Sequence, residues 1–366
     1  MASANDPVAR TAAILRALET AADPTGFVPF DRFMELALYD PAAGYYGTPR
    51  SPLGTSGDFY TAAHVTPLFA RAVTEKIRTV RRTFPDAQTF RIVELGPGDG
   101  TLADGIARAL GPEADRYEYA IVERSDARAR DTAARLATAN DRLAVRRLVS
   151  VGAEGPFPGI VIANEYLDAQ PARRLRWNGT EWSELGVEAT EGVLRPAERP
   201  VTRPVPGAAL PTPESPGVVL EISPAAEATV REIADHLTGG TALLIDYGLD
   251  ESELVIGHPG GTLAAVRDHR AVADPLDAPG TADLSVFDNF TRLRAAARAS
   301  GLREVSFRSQ AEALGDWGFP ALLEAAVESA GSAEAEVRLR LAAKNLLFGF
   351  DRFRVLELAP PSPAAT

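Results

Sequence analysis

Residues Glu94-Leu95-Gly96-Pro97-Gly98-Asp99-Gly100 join an apolar run, RIVEL at 91–95, to a helical pattern over 101–110. Glycine reaches backbone conformations closed to other residues and lets a ligand approach the chain. The N-terminus of the following helix offers N–H groups to an anion. Together these features suit a nucleotide-like ligand. The dinucleotide pattern GxGxxG fails because position 101 is threonine, and no GxxxxGK[ST] phosphate loop exists. Glu123 closes the next apolar run, where a carboxylate can accept two hydroxyl hydrogen bonds. The same acid could instead cap the helix over 125–138. Asn164, Glu165 and Asp168 follow the run GIVIA, and Asp246 and Tyr247 end the run TALLI. The three-residue spacing of Glu165 and Asp168 can put both carboxylates on one side of a helical turn. The alternative is that they cap that turn. His64, His236, His258 and His269 form no HxxxH pair, and cysteine is absent. A thiol nucleophile is excluded, and no metal is expected.

The elements that must position these groups alternate. Strands are predicted at 91–95, 117–123, 143–150, 159–165 and 241–248, with helices at 101–110, 125–138 and 224–237 between them. Short apolar strands separated by helices imply a parallel sheet covered on both faces, with ligands at the carboxyl ends of the strands. Helices at 8–20, 30–38 and 66–83 precede this core, and a Gly/Pro-rich loop carrying Asp58 lies between the last two. Asn178-Gly179, flanked by Trp177 and Trp182, predicts a type I′ hairpin. The proline-rich stretch after it reads as irregular. Helices near 290–300, 309–314 and 320–345 and a final strand, FDRFRVLEL, complete the chain. The predicted organisation is therefore an N-terminal helical region with a covering loop (1–83) and a ligand-binding half of the core (84–171). A hairpin and Pro-rich insertion (172–216), a second half with substrate-side additions (217–358) and a disordered tail (359–366) follow.

The formal charge is −12, from 38 basic and 50 acidic residues among 366. Nucleic acid selects the opposite sign, so it is not an expected partner. No apolar run reaches the length of a membrane span, and no membrane partner is expected. The N-terminus lacks an apolar signal region and reads as an ordinary first helix, which predicts a cytoplasmic protein.

ELGPGDG with Glu94 two residues before its first glycine resembles the first motif of class I S-adenosyl-L-methionine (SAM) methyltransferases. Gly44-Tyr45-Tyr46, Gly57-Asp58-Phe59-Tyr60-Thr61, Asn164 to Pro171 (NEYLDAQP), Glu221-Ile222-Ser223-Pro224, Asp246-Tyr247-Gly248, Gly261-Thr262-Leu263 and Asp283-Leu284 follow in order. This set resembles the MidA-like family of the mitochondrial complex I assembly-factor arginine methyltransferase type, over about residues 30–355.

The resemblance implies a Rossmann-like α/β fold, mostly parallel, with an N-terminal helical extension and an inserted β-hairpin. It implies SAM as cofactor, held by Glu94, Gly96, Gly98, Gly100 and Glu123, with Asp58 and Thr61 from a loop covering it. It implies N-methylation of an arginine guanidino group, with Glu165, Asp168, Asn164 and His269 as catalytic candidates. Asp246, Tyr247 and Tyr46 are candidates for substrate binding. Two segments depart from the family pattern. Thr61-Ala62-Ala63-His64-Val65-Thr66 stands for TAPEIS, and Phe287 stands where DLTAHVDF carries its histidine. These departures suit a paralogue acting on another guanidinium, such as free L-arginine, so free L-arginine and protein arginine both stand as substrates. A SAM-binding assembly factor with little turnover, and a methyltransferase of another small natural product, stay open beside them, as does a homodimer. Gly98→Val is expected to abolish SAM binding in calorimetry, because a side chain would fill the ligand's approach. Unchanged affinity would contradict the role of this turn.

Overall fold

The computed structural model describes residues 6–47, 61–85 and 89–361. In chain order the elements open with α1 (Pro7–Ala21), β1 (Phe27–Pro29), α2 (Phe30–Tyr39), α3 (Ala62–Val65) and α4 (Pro67–Arg81). Then come β2 (Phe90–Leu95), α5 (Thr101–Leu110), β3 (Tyr117–Val122), α6 (Asp126–Ala139), β4 (Ala144–Leu148) and β5 (Phe157–Asn164). An antiparallel group follows: β6 (Arg173–Trp177), β7 (Trp182–Thr190), β8 (Val193–Pro200) and β9 (Val219–Ile222). Next are α7 (Pro224–His236), β10 (Leu237–Leu249), α8 (Glu251–Gly257), β11 (Ala264–Arg267), β12 (Arg270–Ala271), β13 (Asp283–Ser285) and β14 (Asp288–Asn289). The chain closes with α9 (Phe290–Ala299), β15 (Arg303–Ser309), α10 (Gln310–Asp316), α11 (Phe319–Glu328), α12 (Ala333–Phe348) and β16 (Phe353–Ala359). These elements form two compact units. The first comprises Met1–Pro52, Leu167–Val230 and Gly248–Ala296; the second comprises Leu53–Tyr166, Arg231–Tyr247 and Ala297–Thr366.

The second unit is built on the predicted α/β sheet, with strand order β15-β16-β10-β5-β2-β3-β4. Strands β2, β3, β4, β5 and β10 run parallel, and β16 and β15 add an antiparallel edge. From β2 the chain steps outward through β3 and β4, then returns to β5 and β10 on the other side. The order reverses between β2 and β5, so a crevice is expected at their carboxyl ends. The strands are apolar because both faces are covered. Ile92, Ile121, Ile160, Ile162, Leu243 and Ile245 pack with Phe69, Ile106 and Leu314 of the helices in one buried cluster. The single helix expected over 320–345 is two, α11 and α12. Ser332 caps the second, accepting from Ala335 N at 3.2 Å.

The first unit carries a five-stranded antiparallel sheet, order β1-β7-β6-β9 with β8 on β7. The predicted hairpin is β6–β7, with Trp177 opposite Trp182 and their rings 5.5 Å apart. Its turn is shifted by one residue from the type I′ expectation. Asn178 N bonds to Glu181 O at 3.1 Å, which makes Gly179 and Thr180 the central pair. Gly179 takes φ +107°, while Asn178 Oδ1 accepts from the amides of Thr180 and Glu181. A side chain that can mimic a backbone turn moved the register. The proline-rich stretch is partly strand: among the described residues β8 pairs only with β7, and an edge strand tolerates Pro196 and Pro200 because it needs fewer N–H donors. Farther on, prolines leave carbonyls in want of donors, and buried arginines supply them. Arg173 pairs with Glu184 at 2.8 Å and donates to Pro204 O. Arg292 pairs with Glu227 at 2.8 Å, both side chains about 2% exposed, and donates to Ala208 O.

Removing one member of such a buried pair leaves an uncompensated charge, at about 3–5 kcal/mol. Arg292→Leu should lower urea-unfolding stability by that order, and Arg292→Leu with Glu227→Leu should recover much of it. A single variant within about 0.5 kcal/mol of the parent would contradict the anchoring role.

Candidate functional site

In the second unit, β2 delivers Glu94 to its carboxyl end, and the chain then turns through three left-handed glycines. Gly96 and Gly98 have φ +59° and Gly100 +79°. The turn is braced by Gly96 N to Val122 O (2.9 Å) and Gly100 N to Pro97 O (2.8 Å). A Cβ on Gly96 would lie 2.6 Å from Cδ2 of Tyr166, so here the glycine makes room for a protein ring. Gly100 caps α5 with no side chain of its own, and Asp99 Oδ1 accepts from Thr101 N at 3.0 Å. Glu94 is buried, and Tyr119 donates its O–H to Oε2 at 2.7 Å. Burial pushes the Glu94 carboxyl up to about 7; the Tyr119 hydrogen bond opposes this and Asp99 adds to it. The neighbouring strand β3 brings Glu123 to the same edge. Its Oε1 accepts from Ser125 N at 2.9 Å, which realises the helix-capping alternative on one oxygen. Among the described residues the carboxylate has no other hydrogen-bond partner. The left-handed glycine turn, the glycine-capped helix start and a carboxylate with hydrogen-bonding capacity fit the groups of SAM: a chain carboxylate, and ribose hydroxyls on Glu123.

His64 of α3 locks the preceding segment onto this turn. Its Nδ1 meets Thr61 Oγ1 at 2.7 Å, and Nε2 meets Asp99 Oδ2 at 3.0 Å. Burial works against ionisation of Asp99, yet the hydrogen bonds from His64 and Thr101 hold its carboxyl down to about 2.

The third part of this edge follows β5. Glu165 N extends the ladder to Ile245 O at 2.9 Å, and the backbone then turns left-handed, with Glu165 at φ +51°. A non-glycine residue pays for this conformation with about 1–2 kcal/mol, and such strain concentrates at functional sites. Glu165 Oε1 accepts from Ala62 N at 2.9 Å and from Asn164 Nδ2 at 3.3 Å. Among the described residues Asn164 Oδ1 is buried without a partner. Asp246, fully buried on β10, accepts from Tyr166 N and Tyr247 N, both at 3.0 Å.

The first unit holds a separate acidic set. Asp168, Asp283 and Asp288 are buried, and Asp168 O accepts from Val286 N at 3.0 Å. Tyr46 stacks on Tyr39 with centroids 5.6 Å apart and meets Tyr45 edge-on at 5.0 Å. Burial and then the charge of Asp283, with Asp168 contributing, push its phenol well above the ordinary range, so it stays an O–H donor.

Sequence-predicted residues thus fall into distinct sets. Glu94, Gly96, Gly98, Gly100, Thr61, Glu123, Asn164, Glu165, Asp246 and Tyr247 belong to the second unit, and Tyr46 and Asp168 to the first. Asp58 lies outside the described residues. Asp246 spends its carboxylate on two backbone amides, and the Tyr247 ring packs edge-on to Phe353 at 5.4 Å. His269 sits exposed at the tip of the β11–β12 hairpin, where it and Asp268 both have positive φ. Turn geometry accounts for that residue. Sequence reasoning weighed His64 as a contact or an exposed loop residue, and passed over Tyr119 and Tyr166. His64 carried a signal as the residue that departs from TAPEIS. Tyr119 and Tyr166 carried none, because only the folded sheet shows which ring meets Glu94 or Gly96.

A carboxyl with a raised folded pKa stabilises the folded state below its unfolded value and loses that contribution as pH rises through the folded value. For Glu94 the window runs from about 4.5 to about 7. Glu94→Gln should therefore gain stability over the parent as pH rises from 4 to 8, by on the order of 2–3 kcal/mol at about 1.4 kcal/mol per unit. A pH-independent difference in chemical denaturation would contradict this.

Residues 68–307 match the Methyltransf_28 family, described as "Putative S-adenosyl-L-methionine-dependent methyltransferase". A crystal structure of a COG1565 superfamily member from Burkholderia thailandensis bound to S-adenosyl-homocysteine is similar, with a TM-score of 0.84 and 29% identity. The match covers 97% of this chain and 94% of that one. Among curated proteins, the Drosophila melanogaster protein arginine methyltransferase NDUFAF7 homolog, mitochondrial, is 28% identical over 305 residues, 76% of this chain and 68% of the relative. The Homo sapiens protein arginine methyltransferase NDUFAF7, mitochondrial, is 28% identical over 330 residues, 80% of this chain and 70% of the relative. The cytoplasmic location expected from the sequence is overturned by these relatives, both named mitochondrial. With the family model matched over most of its length and a SAM-type turn at the switch point of its sheet, the chain belongs to the Methyltransf_28 family and is a SAM-dependent methyltransferase.

Proposed function

We propose that the chain N-methylates the guanidino group of an arginine side chain in a protein, giving Nω-methylated arginine and S-adenosylhomocysteine. The relatives' names support the substrate class. The observation that carries it is Glu165: an acid in a left-handed turn at the carboxyl end of β5, its carboxylate oriented by Ala62 N and Asn164 Nδ2. SAM, when bound, supplies the methyl group as an electrophile. The glycine turn and Glu123 hold the cofactor's polar groups. A guanidinium is positively charged at ordinary pH and its nitrogen lone pairs are delocalised. A carboxylate answers both problems. It grips the planar fork through paired N–H donors and draws positive charge toward the bound nitrogens, which leaves electron density on the attacking one. The methylated nitrogen must also shed a proton, and a carboxylate or water can take it. Glu165 is assigned the orienting role.

Incubation with methyl-labelled SAM tests the reading. Label should enter arginine in a protein fraction; label only in free L-arginine would move the substrate to the small molecule, and label in neither would overturn the proposal. Glu165→Gln should keep S-adenosylhomocysteine affinity within about twofold and slow transfer by about 30- to 1000-fold, the worth of about 2–4 kcal/mol in the transition state. Glu123→Gln should do the reverse, weakening cofactor binding with a smaller loss at saturation. A folded Glu165→Gln protein working at nearly the parent rate would remove Glu165 from the mechanism.

A further inference from the structure

His64 is the third residue of α3, and its ring serves two partners. Thr61, the residue before the helix, donates its backbone N–H to Nδ1 at 3.3 Å, and its hydroxyl meets the same nitrogen at 2.7 Å. That hydroxyl also accepts from His64 N, so the two residues close a reciprocal cap in which histidine does what glutamate or glutamine usually does. An N–H aimed at Nδ1 needs a lone pair there. The other ring nitrogen faces Asp99 Oδ2 at 3.0 Å. Despite burial, hydrogen bonds from His64 and Thr101 hold the Asp99 carboxyl down to about 2, so it meets the ring as an acceptor. The geometry therefore leaves Nδ1 as the acceptor and puts the ring proton on Nε2.

A third contact joins these two, and all three lie within the second unit. Ala62 is fully buried and opens α3. The first amides of a helix have no acceptor inside it, and Ala62 N goes to Glu165 Oε1 at 2.9 Å. The donor that orients Glu165 is thus held by the Thr61–His64 cap. His64 Nε2 in turn holds that cap on Asp99, between Gly98 and Gly100 of the cofactor turn. A glutamate at this place, as in TAPEIS, could close the cap, but in this chain it would turn a carboxylate toward Asp99 and lose the donor. A glutamine could serve both partners, its oxygen accepting from Thr61 and its amide nitrogen donating to Asp99.

We infer that His64 is a positioning residue for methyl transfer: it ties the start of α3 to the cofactor turn, and the Ala62 amide held there sets the Glu165 carboxylate. His64 acts through Glu165 rather than on the reacting atoms. The inference rests on the role assigned to Glu165 above and adds the group that links that acid to the SAM-binding turn.

The test compares His64→Gln, which keeps an acceptor and a donor, with His64→Glu, which keeps the cap and loses the donor. Both are made in the full chain. The readouts are single-turnover transfer from methyl-labelled SAM to an arginine peptide at saturation, S-adenosylhomocysteine affinity, and hydrogen exchange of the Ala62 amide. His64→Glu should slow transfer at least tenfold, keep S-adenosylhomocysteine affinity within threefold, and speed Ala62 exchange at least tenfold. His64→Gln should stay within threefold of the parent in all three. Asp99→Asn added to His64→Glu should recover transfer, because the new amide can donate where the two carboxylates repelled. In a Glu165→Gln background, His64→Glu should cost less than threefold more. Folded His64→Glu protein with parent-like transfer overturns the inference and leaves arginine methylation standing. A full tenfold loss on top of Glu165→Gln also overturns it. If His64→Glu does not fold, His64→Gln decides, and a tenfold loss there overturns the inference. Ala62 exchange that depends on His64 as described, in a chain that methylates no arginine, would do the opposite: the proposed function would fall and the link from His64 to the Ala62 amide would stand.

Discussion

One buried carboxylate fixes the geometry on which the candidate site depends. Asp246 lies fully inside the parallel sheet, where an ionised acid is tolerated only with strong donors around it. Its oxygens accept from Tyr166 N and Tyr247 N, so the segment leaving β5 is tied to the end of β10. With Glu165 N on Ile245 O, the ladder runs one residue past the strand and then turns left-handed. The turn throws Glu165 toward Ala62 and lays the Tyr166 ring on Gly96. The glycine turn, the N-terminal segment and the proposed catalytic acid are thus joined by one short stretch of chain. None of the three can shift far without breaking one of these contacts.

Environment, rather than residue type, divides the acids among roles. Arginine forks neutralise Glu184 and Glu227 and, in the same contacts, satisfy carbonyls of a proline-rich segment that has few amides of its own. Burial raises the Glu94 carboxyl to about 7 against the pull of the Tyr119 hydrogen bond, while hydrogen bonds from His64 and Thr101 hold Asp99 down to about 2 despite burial. Amides make Asp246 structural. Glu165, in its strained turn, is the acid that the proposed function assigns to a cationic substrate.

Much of this was legible before the fold was known. Apolar runs of strand length between helical patterns gave the parallel sheet, and ELGPGDG at the end of the first of them pointed to the cofactor turn. Long-range pairing was harder. The sequence offers Asp246 beside Tyr247 as a rim acid open to substrate; only the register of Ile245 against Asn164 brings it under the Tyr166 amide. The hairpin was recognisable from Asn178-Gly179, yet the Asn178 side chain moved its turn by one residue, an outcome set by local hydrogen bonding that a dipeptide rule does not weigh.

The central claim is that Asp246 acts through the turn that carries Glu165. A double-mutant cycle with Asp246→Asn and Glu165→Gln, read as single-turnover methyl transfer from labelled SAM to an arginine peptide at saturating cofactor, tests it most directly. If the claim holds, each single change slows transfer and the double variant is little slower than the worse single one. Losses that multiply independently would show that Asp246 and Glu165 serve separate purposes and would contradict the account.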